Sequence, residues 1–177
     1  MAKIFKQGDL DGLCGVYSLI NACCYFGCTE DECEELFTKS IKYLNENNKL
    51  ETALLKGLSF LWIRKLVKNV FSKFLSDGTI IFERKSPSLN EYWNTISKFL
   101  DENKGGCVFV RFEDSKDDHF SIITKASDSK LTLHDSSNFL PFKIEECTVG
   151  KPKKKGVYQF YPKETYFFAR PEKKIRL

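Results

Sequence analysis

Three side chains able to carry acyl-transfer chemistry stand far apart in this chain: a thiol at Cys14, an imidazole at His119 and a carboxylate at Asp135. The thiol lies in the run Gln7-Gly8-Asp9-Leu10-Asp11-Gly12-Leu13-Cys14-Gly15-Val16-Tyr17-Ser18-Leu19-Ile20-Asn21. Asp11 and Gly12 are turn formers that can start a helix, and Val16, Leu19, Ile20 and Cys23 recur at the spacing of one buried helical face. Cys14 is therefore expected in the first turn of a buried helix. There, open backbone N–H groups and the positive end of the helix dipole favour an anion, so a thiol loses its proton more easily than a free one. Gly15 is expected to let a substrate backbone come close. Gln7, on the entering loop, can offer a side-chain N–H, beside the N–H of Cys14, where a carbonyl oxygen becomes an oxyanion.

The base has few candidates, because the chain holds two histidines, His119 and His134. His119 opens the half-buried β pattern Phe120-Ser121-Ile122-Ile123-Thr124. Lys130-Leu131-Thr132-Leu133-His134-Asp135 repeats that pattern after the turn-like cluster Ala126-Ser127-Asp128-Ser129. The two runs read as a hairpin. With the turn centred on Ser127, residue 119 opposes 135, 121 opposes 133 and 123 opposes 131, and opposed residues share a face. His119 and Asp135 then meet at the open end while His134 points to the other face. A register shift of one residue reverses that choice.

A Gln, then Cys-Gly at a helix start, and much later a His opening one strand and an Asp closing the next, resembles the papain-like cysteine peptidase superfamily. The Cys-Gly-Val-Tyr-Ser-Leu-Ile-Asn-Ala run looks most like compact bacterial members, such as double-glycine leader peptidases, and like small effector and deconjugating peptidases. The resemblance implies Cys14 as nucleophile, His119 as general base and acid, Asp135 as the group that orients it, and Gln7 as oxyanion donor. The gap from Gln7 to Cys14 is one residue longer than the family's usual gap, so Asp9 or a backbone N–H is an alternative for that last role.

The elements that would position these groups follow from periodicity. Thr29-Glu30-Asp31-Glu32 is a capping-box pattern ahead of Leu36, Phe37, Ile41 and Leu44, and that helix should end near Asn45-Glu46-Asn47-Asn48. A third helix is expected over about 59–75, with an apolar stripe and a basic opposite face. A short strand is expected at 79–83, and a helix follows the Ser88 cap through Trp93, Ile96, Phe99 and Leu100. From Gly105-Gly106 onward the period becomes strand-like, over 107–112, the two hairpin runs, 156–161 and 165–169. Helices first and strands later give an α+β class, with N-terminal helices on a C-terminal antiparallel sheet. The reading is one papain-like domain over 1–177: a helical half at about 12–104, a sheet half at about 105–170 and a basic tail at 171–177.

The 177 residues are enough for one substantial core, and 16 Phe suggest that it is built on aromatic packing. Seven Cys without a C-x-x-C pair, beside two His, argue against a zinc site; Cys23, Cys24 and Cys28 read as small core residues. The chemistry requires no metal or organic cofactor. No stretch approaches the ~18 apolar residues of a membrane span and no leader pattern opens the chain, which points to the cytoplasm, with export as an effector left open. Residues 1–60 hold 6 Lys against 9 Asp or Glu, net −3, so the rest carries +7 and the whole chain +4. Lys151-Pro152-Lys153-Lys154-Lys155 and the tail supply much of the positive charge. Such runs are read as solvated rather than as a nucleic-acid site. The acidic run Glu113-Asp114-Ser115-Lys116-Asp117-Asp118 reads equally as a solvated turn or as a loop that favours imidazolium at His119, and selection of basic substrate residues by its carboxylates is a hypothesis beside these. The expected function is a cysteine peptidase acting on a protein or peptide through a thioester, restrained by a regulatory partner, narrow specificity or an activation step. An acyltransferase or transglutaminase using the same triad, and a noncatalytic module binding through the basic face, are the alternatives.

Overall fold

The computed structural model describes residues 3–8, 11–75, 78–82, 86–114, 118–137, 139–150 and 156–171. The lysine run 151–155, residues 172–177 of the tail, Asp9, Glu83 and residues 115–117 of the acidic run lie outside them. Among the described residues no helix is long and apolar enough to cross a membrane.

The chain folds as α+β. Helix α1 (Cys14–Tyr25) is the centre of the helical part, and Val16, Leu19, Ile20 and Cys23 are all buried in it. It is apolar nearly all round because it is covered by α2 (Glu30–Glu46) and α4 (Phe60–Asn69) as well as by the sheet. The capping box forms as its residues dictate: Thr29 Oγ1 accepts the Glu32 N–H, and the Glu32 carboxylate accepts the Thr29 N–H at 2.9 Å.

The expected helix over 59–75 is two helices. The Phe71 N–H reaches back to Leu66 O at 3.1 Å, one residue beyond the regular α spacing. That widened turn ends α4, and α5 (Ser72–Leu75) then swings Phe71 and Leu75 into the core. A further helix, α3 (Leu50–Lys56), escapes the sequence reading. It has no side-chain cap, Ala53 is its one buried residue, and it stops at Gly57 with φ 75°.

Seven strands form one sheet: β1 (Cys107–Glu113), β2 (Asp118–Ala126), β3 (Lys130–Leu133), β4 (Phe142–Lys143), β5 (Cys147–Thr148), β6 (Tyr158–Phe160) and β7 (Tyr166–Phe168). Their order is β4-β3-β2-β1-β6-β5, with β7 also paired to β1. The sheet is mixed rather than wholly antiparallel, because β5 and β6 run parallel. The expected strand over 79–83 reduces to a single bridge between Thr79 and Phe167.

The α-helices precede the strands in the chain, as expected, and they pack on both faces of the sheet. Phe109, Phe120 and Ile122 pack with α1 to α5 in one core. Val108, Val110, Phe112 and Ile123 pack with α6 (Leu89–Glu102), through Tyr92, Trp93 and Ile96, in a second.

Candidate active site

Local bonds hold Cys14 at the first position of α1. Asp11 organises the entering turn, its Oδ1 accepting the Leu13 N–H at 2.9 Å and its Oδ2 the Gly8 N–H at 3.1 Å. The Gly12 N–H donates to Leu54 O at 2.8 Å, and a Cβ on Gly12 would lie 2.6 Å from Ala53 O and from Gly57 N. The turn therefore rests directly on the backbone of α3. Upstream, the buried Asn21 side chain accepts the Phe5 N–H at 2.8 Å and donates to Phe5 O at 3.1 Å. One turn after Cys14, Ser18 Oγ donates to Phe120 O at 2.7 Å, which ties the helix that carries Cys14 to the residue next to His119. The first turn of α1 carries no acidic side chain and no side-chain cap. Gly15 serves packing rather than substrate access. A Cβ there would come 2.5 Å from Ile63 Cδ1 and 3.3 Å from Phe120, inside the core.

The imidazole and carboxylate reach one another through an irregular hairpin. The Ser127 N–H donates to Lys130 O at 2.9 Å, so the loop is Asp128-Ser129 and pairing near the turn sets Ala126 against Leu131. That register lies three residues from the one expected, and an odd shift moves Asp135 to the face opposite His119. A bulge at Thr124 takes one residue back: beyond it Ile123 opposes Leu133, and the His134 N–H donates to Ile122 O at 2.9 Å. Asp135 then stands level with Ser121, two residues from the expected partner but on the His119 face.

In the result, His119 Nε2 lies 2.9 Å from Asp135 Oδ2, with both residues buried. The other carboxylate oxygen, Asp135 Oδ1, accepts the Ser137 N–H at 2.7 Å. Phe112 and Phe139 pack on the imidazole at ring-centroid distances of 5.5 and 5.0 Å. Burial alone would lower the His119 pKa, but hydrogen bonds and charge from Asp135 and Cys14 outweigh it and raise the imidazole to about 9. Burial would likewise raise the Asp135 carboxyl. The bond and charge of His119 reverse this, with help from the Ser121 hydroxyl and the Ser137 N–H, and hold it below its ordinary value. With Nε2 given to Asp135, Nδ1 is the ring nitrogen that remains to serve the Cys14 thiol. His134 faces elsewhere, 5.9 Å from the Tyr25 ring, and burial lowers its pKa.

Cys14 and His119 open onto a cleft of about 780 Å³ between α1, the end of α3 and the loop after β3. Gln7 lines it too. Its backbone N–H donates to Ser136 O at 3.3 Å and its side-chain amide N–H donates to Asp11 O. Ser136 lines the cleft as well, and Gln7 Oε1 and Ser136 Oγ are buried with no hydrogen-bond partner among the described residues. Asp118 borders the cleft, but its carboxylate is taken by Arg111, with Nε–Oδ1 at 2.8 Å and Nη2–Oδ2 at 2.7 Å. That bidentate pair leaves Asp118 poorly placed to select a basic substrate.

The sequence reading placed Ser121 on the face of His119 and Asp135 but missed Ser18, Ser136 and the α3 wall carrying Leu54 and Leu55. Only Ser18 had a signal to follow, as a polar residue one turn beyond Cys14 on a helix otherwise apolar there. Among the described residues no group of three or more His, Cys, Asp or Glu could hold a metal ion. Comparison of the chain with protein-family models, with curated proteins and with solved structures finds no match.

Proposed function

We propose that the protein is a cysteine-dependent hydrolase of papain-like arrangement that cleaves peptide bonds through a thioester. The observation that carries this reading is the meeting, in one cleft, of a thiol at a helix start and a buried imidazole already bonded to a carboxylate.

In the proposed cycle His119 takes the Cys14 proton and the sulfur attacks the substrate carbonyl carbon. The carbonyl π pair moves to oxygen, and the oxyanion accepts hydrogen bonds from the Cys14 N–H and the second amide hydrogen of Gln7. Collapse re-forms the carbonyl and breaks the C–N bond, and His119 hands its proton to the departing amine. Water, deprotonated by His119, then attacks the thioester. A carboxylic acid leaves, the sulfur regains its proton, and one water has been consumed. Asp135 keeps Nε2 occupied throughout and stabilises the imidazolium.

The test is a diverse peptide mixture incubated with the protein in H₂¹⁸O and read by mass spectrometry. New C-termini carrying one ¹⁸O, absent with Cys14→Ala, are expected. Products joined to an added amine in place of ¹⁸O would reassign the chemistry to acyl transfer. Cleavage that persists in Cys14→Ala would contradict the reading.

A further inference from the structure

The opposite end of α1 gathers four thiols that the proposed chemistry does not use: Cys23 and Cys24 in its last turns, Cys28 just beyond, and Cys33 on α2. The helix ends in a Schellman motif. Gly27, at φ 100°, gives its N–H to Cys24 O at 3.0 Å, and the next residue, Cys28, gives its N–H to Cys23 O at 3.1 Å. This motif characteristically brings the side chains of those two outer residues together, and here both are cysteines. The two thiols also stand within hydrogen-bond reach of one another. We propose that Cys23 and Cys28 are a reversible oxidation site, in which Cys28 reacts with a peroxide-class oxidant and Cys23 resolves the product as a disulfide.

The pair is asymmetric in the sense this sequence of steps needs. Cys28 is partly exposed, whereas Cys23, Cys24 and Cys33 are buried. The Cys23 thiol, acting as a hydrogen-bond partner, lowers the Cys28 pKa against the opposing effect of burial, while burial first and then Cys28 push Cys23 well up. Cys28 thiolate attacks one oxygen of hydrogen peroxide, breaking the O–O bond and giving a sulfenic acid and hydroxide. The Cys23 sulfur then attacks the sulfenic sulfur, the S–O bond breaks, and the displaced hydroxide takes the Cys23 proton as water. Overall two thiols and one peroxide give one disulfide and two waters. Cys24 and Cys33 also influence each other, but burial raises both, Cys33 to about 12, and neither reaches solvent as Cys28 does.

The experiment treats folded Cys14→Ser protein with hydrogen peroxide near neutral pH, caps the remaining thiols and reads intact mass. Expected is a loss of about 2 Da that dithiothreitol reverses. Cys28→Ser should cut that product at least tenfold, and Cys24→Ser or Cys33→Ser should leave it in place, with circular dichroism verifying each fold. Three results overturn the proposal: no loss of mass, the same loss in Cys28→Ser, or sulfinic and sulfonic acids accumulating on Cys28 with no cross-link.

Discussion

Cys14 and the His119–Asp135 pair reach the cleft by different routes. Cys14 is set by neighbours within a few residues and by backbone resting on backbone: the Asp11 turn, the close approach of Gly12 to α3 and the Ser18 bond to β2. His119 and Asp135 are set by strand register, 16 residues apart and dependent on the loop at Asp128-Ser129 and the bulge at Thr124. The first arrangement is rigid because little in it can slide. The second is specific because a one-residue slip exchanges the faces of every side chain and replaces Asp135 by His134. An aromatic cluster around Phe112, with Phe139, Phe142, Tyr158 and Phe160 against it, holds the register by packing.

Substitutions on the two sides should separate these roles. The largest effect is expected for Cys14→Ala and His119→Ala, each lowering peptide cleavage by roughly a thousandfold or more with little further loss in the double variant, because the two act as one unit. A steady-state assay of all three proteins checks this.

Asp135→Asn should cost on the order of 10²–10⁴ in rate while leaving the fold in place, and it should return the His119 pKa from about 9 toward its ordinary value. The sign for stability follows from that raised pKa. The contribution of the pair is complete below the unfolded value of about 6.5 and is lost as pH rises through about 9. At the acid end it is present above the ordinary Asp value and lost as pH falls through the depressed Asp135 pKa. Urea unfolding of wild type against His119→Gln should therefore differ by on the order of 3 kcal/mol at pH 6 and converge above pH 10.

On the thiol side, Gly12→Ala should destabilise by about 1–3 kcal/mol, since its Cβ meets backbone atoms that cannot move aside. Gly15→Ala should cost less, because the nearest atom there is the end of the Ile63 side chain. Urea midpoints for the two variants provide the comparison. Smallest is Ser18→Ala, at about 1–2 kcal/mol for a lost buried bond, with a fall in Cys14 labelling rate beyond what the stability change explains.

The same contrast governs what could be read from sequence. The buried face of α1, the Thr29 capping box and the Ser88 cap of α6 were legible because each is written in residues three or four apart. The register was not, because Ala126-Ser127-Asp128-Ser129 fits more than one turn centre and nothing at Thr124 announces a bulge. Helix α3 was hidden because it lacks a cap and buries one alanine. Gly15 was given to the substrate, and the structure gives it to Ile63, since which side of a helix faces the core depends on elements distant in sequence. The parallel β5–β6 pair rests on strands too short to carry a period.

In the proposed cycle His119 and Asp135 make Cys14 a nucleophile, and iodoacetamide labelling of the native protein across pH, read by intact mass and peptide mapping, puts that role to the test. Cys14, though buried, should be alkylated faster than the partly exposed Cys28, and His119→Ala should remove the advantage while the folded signal persists. Equal or slower labelling of Cys14 in the wild type, or an advantage unchanged by His119→Ala, would contradict it.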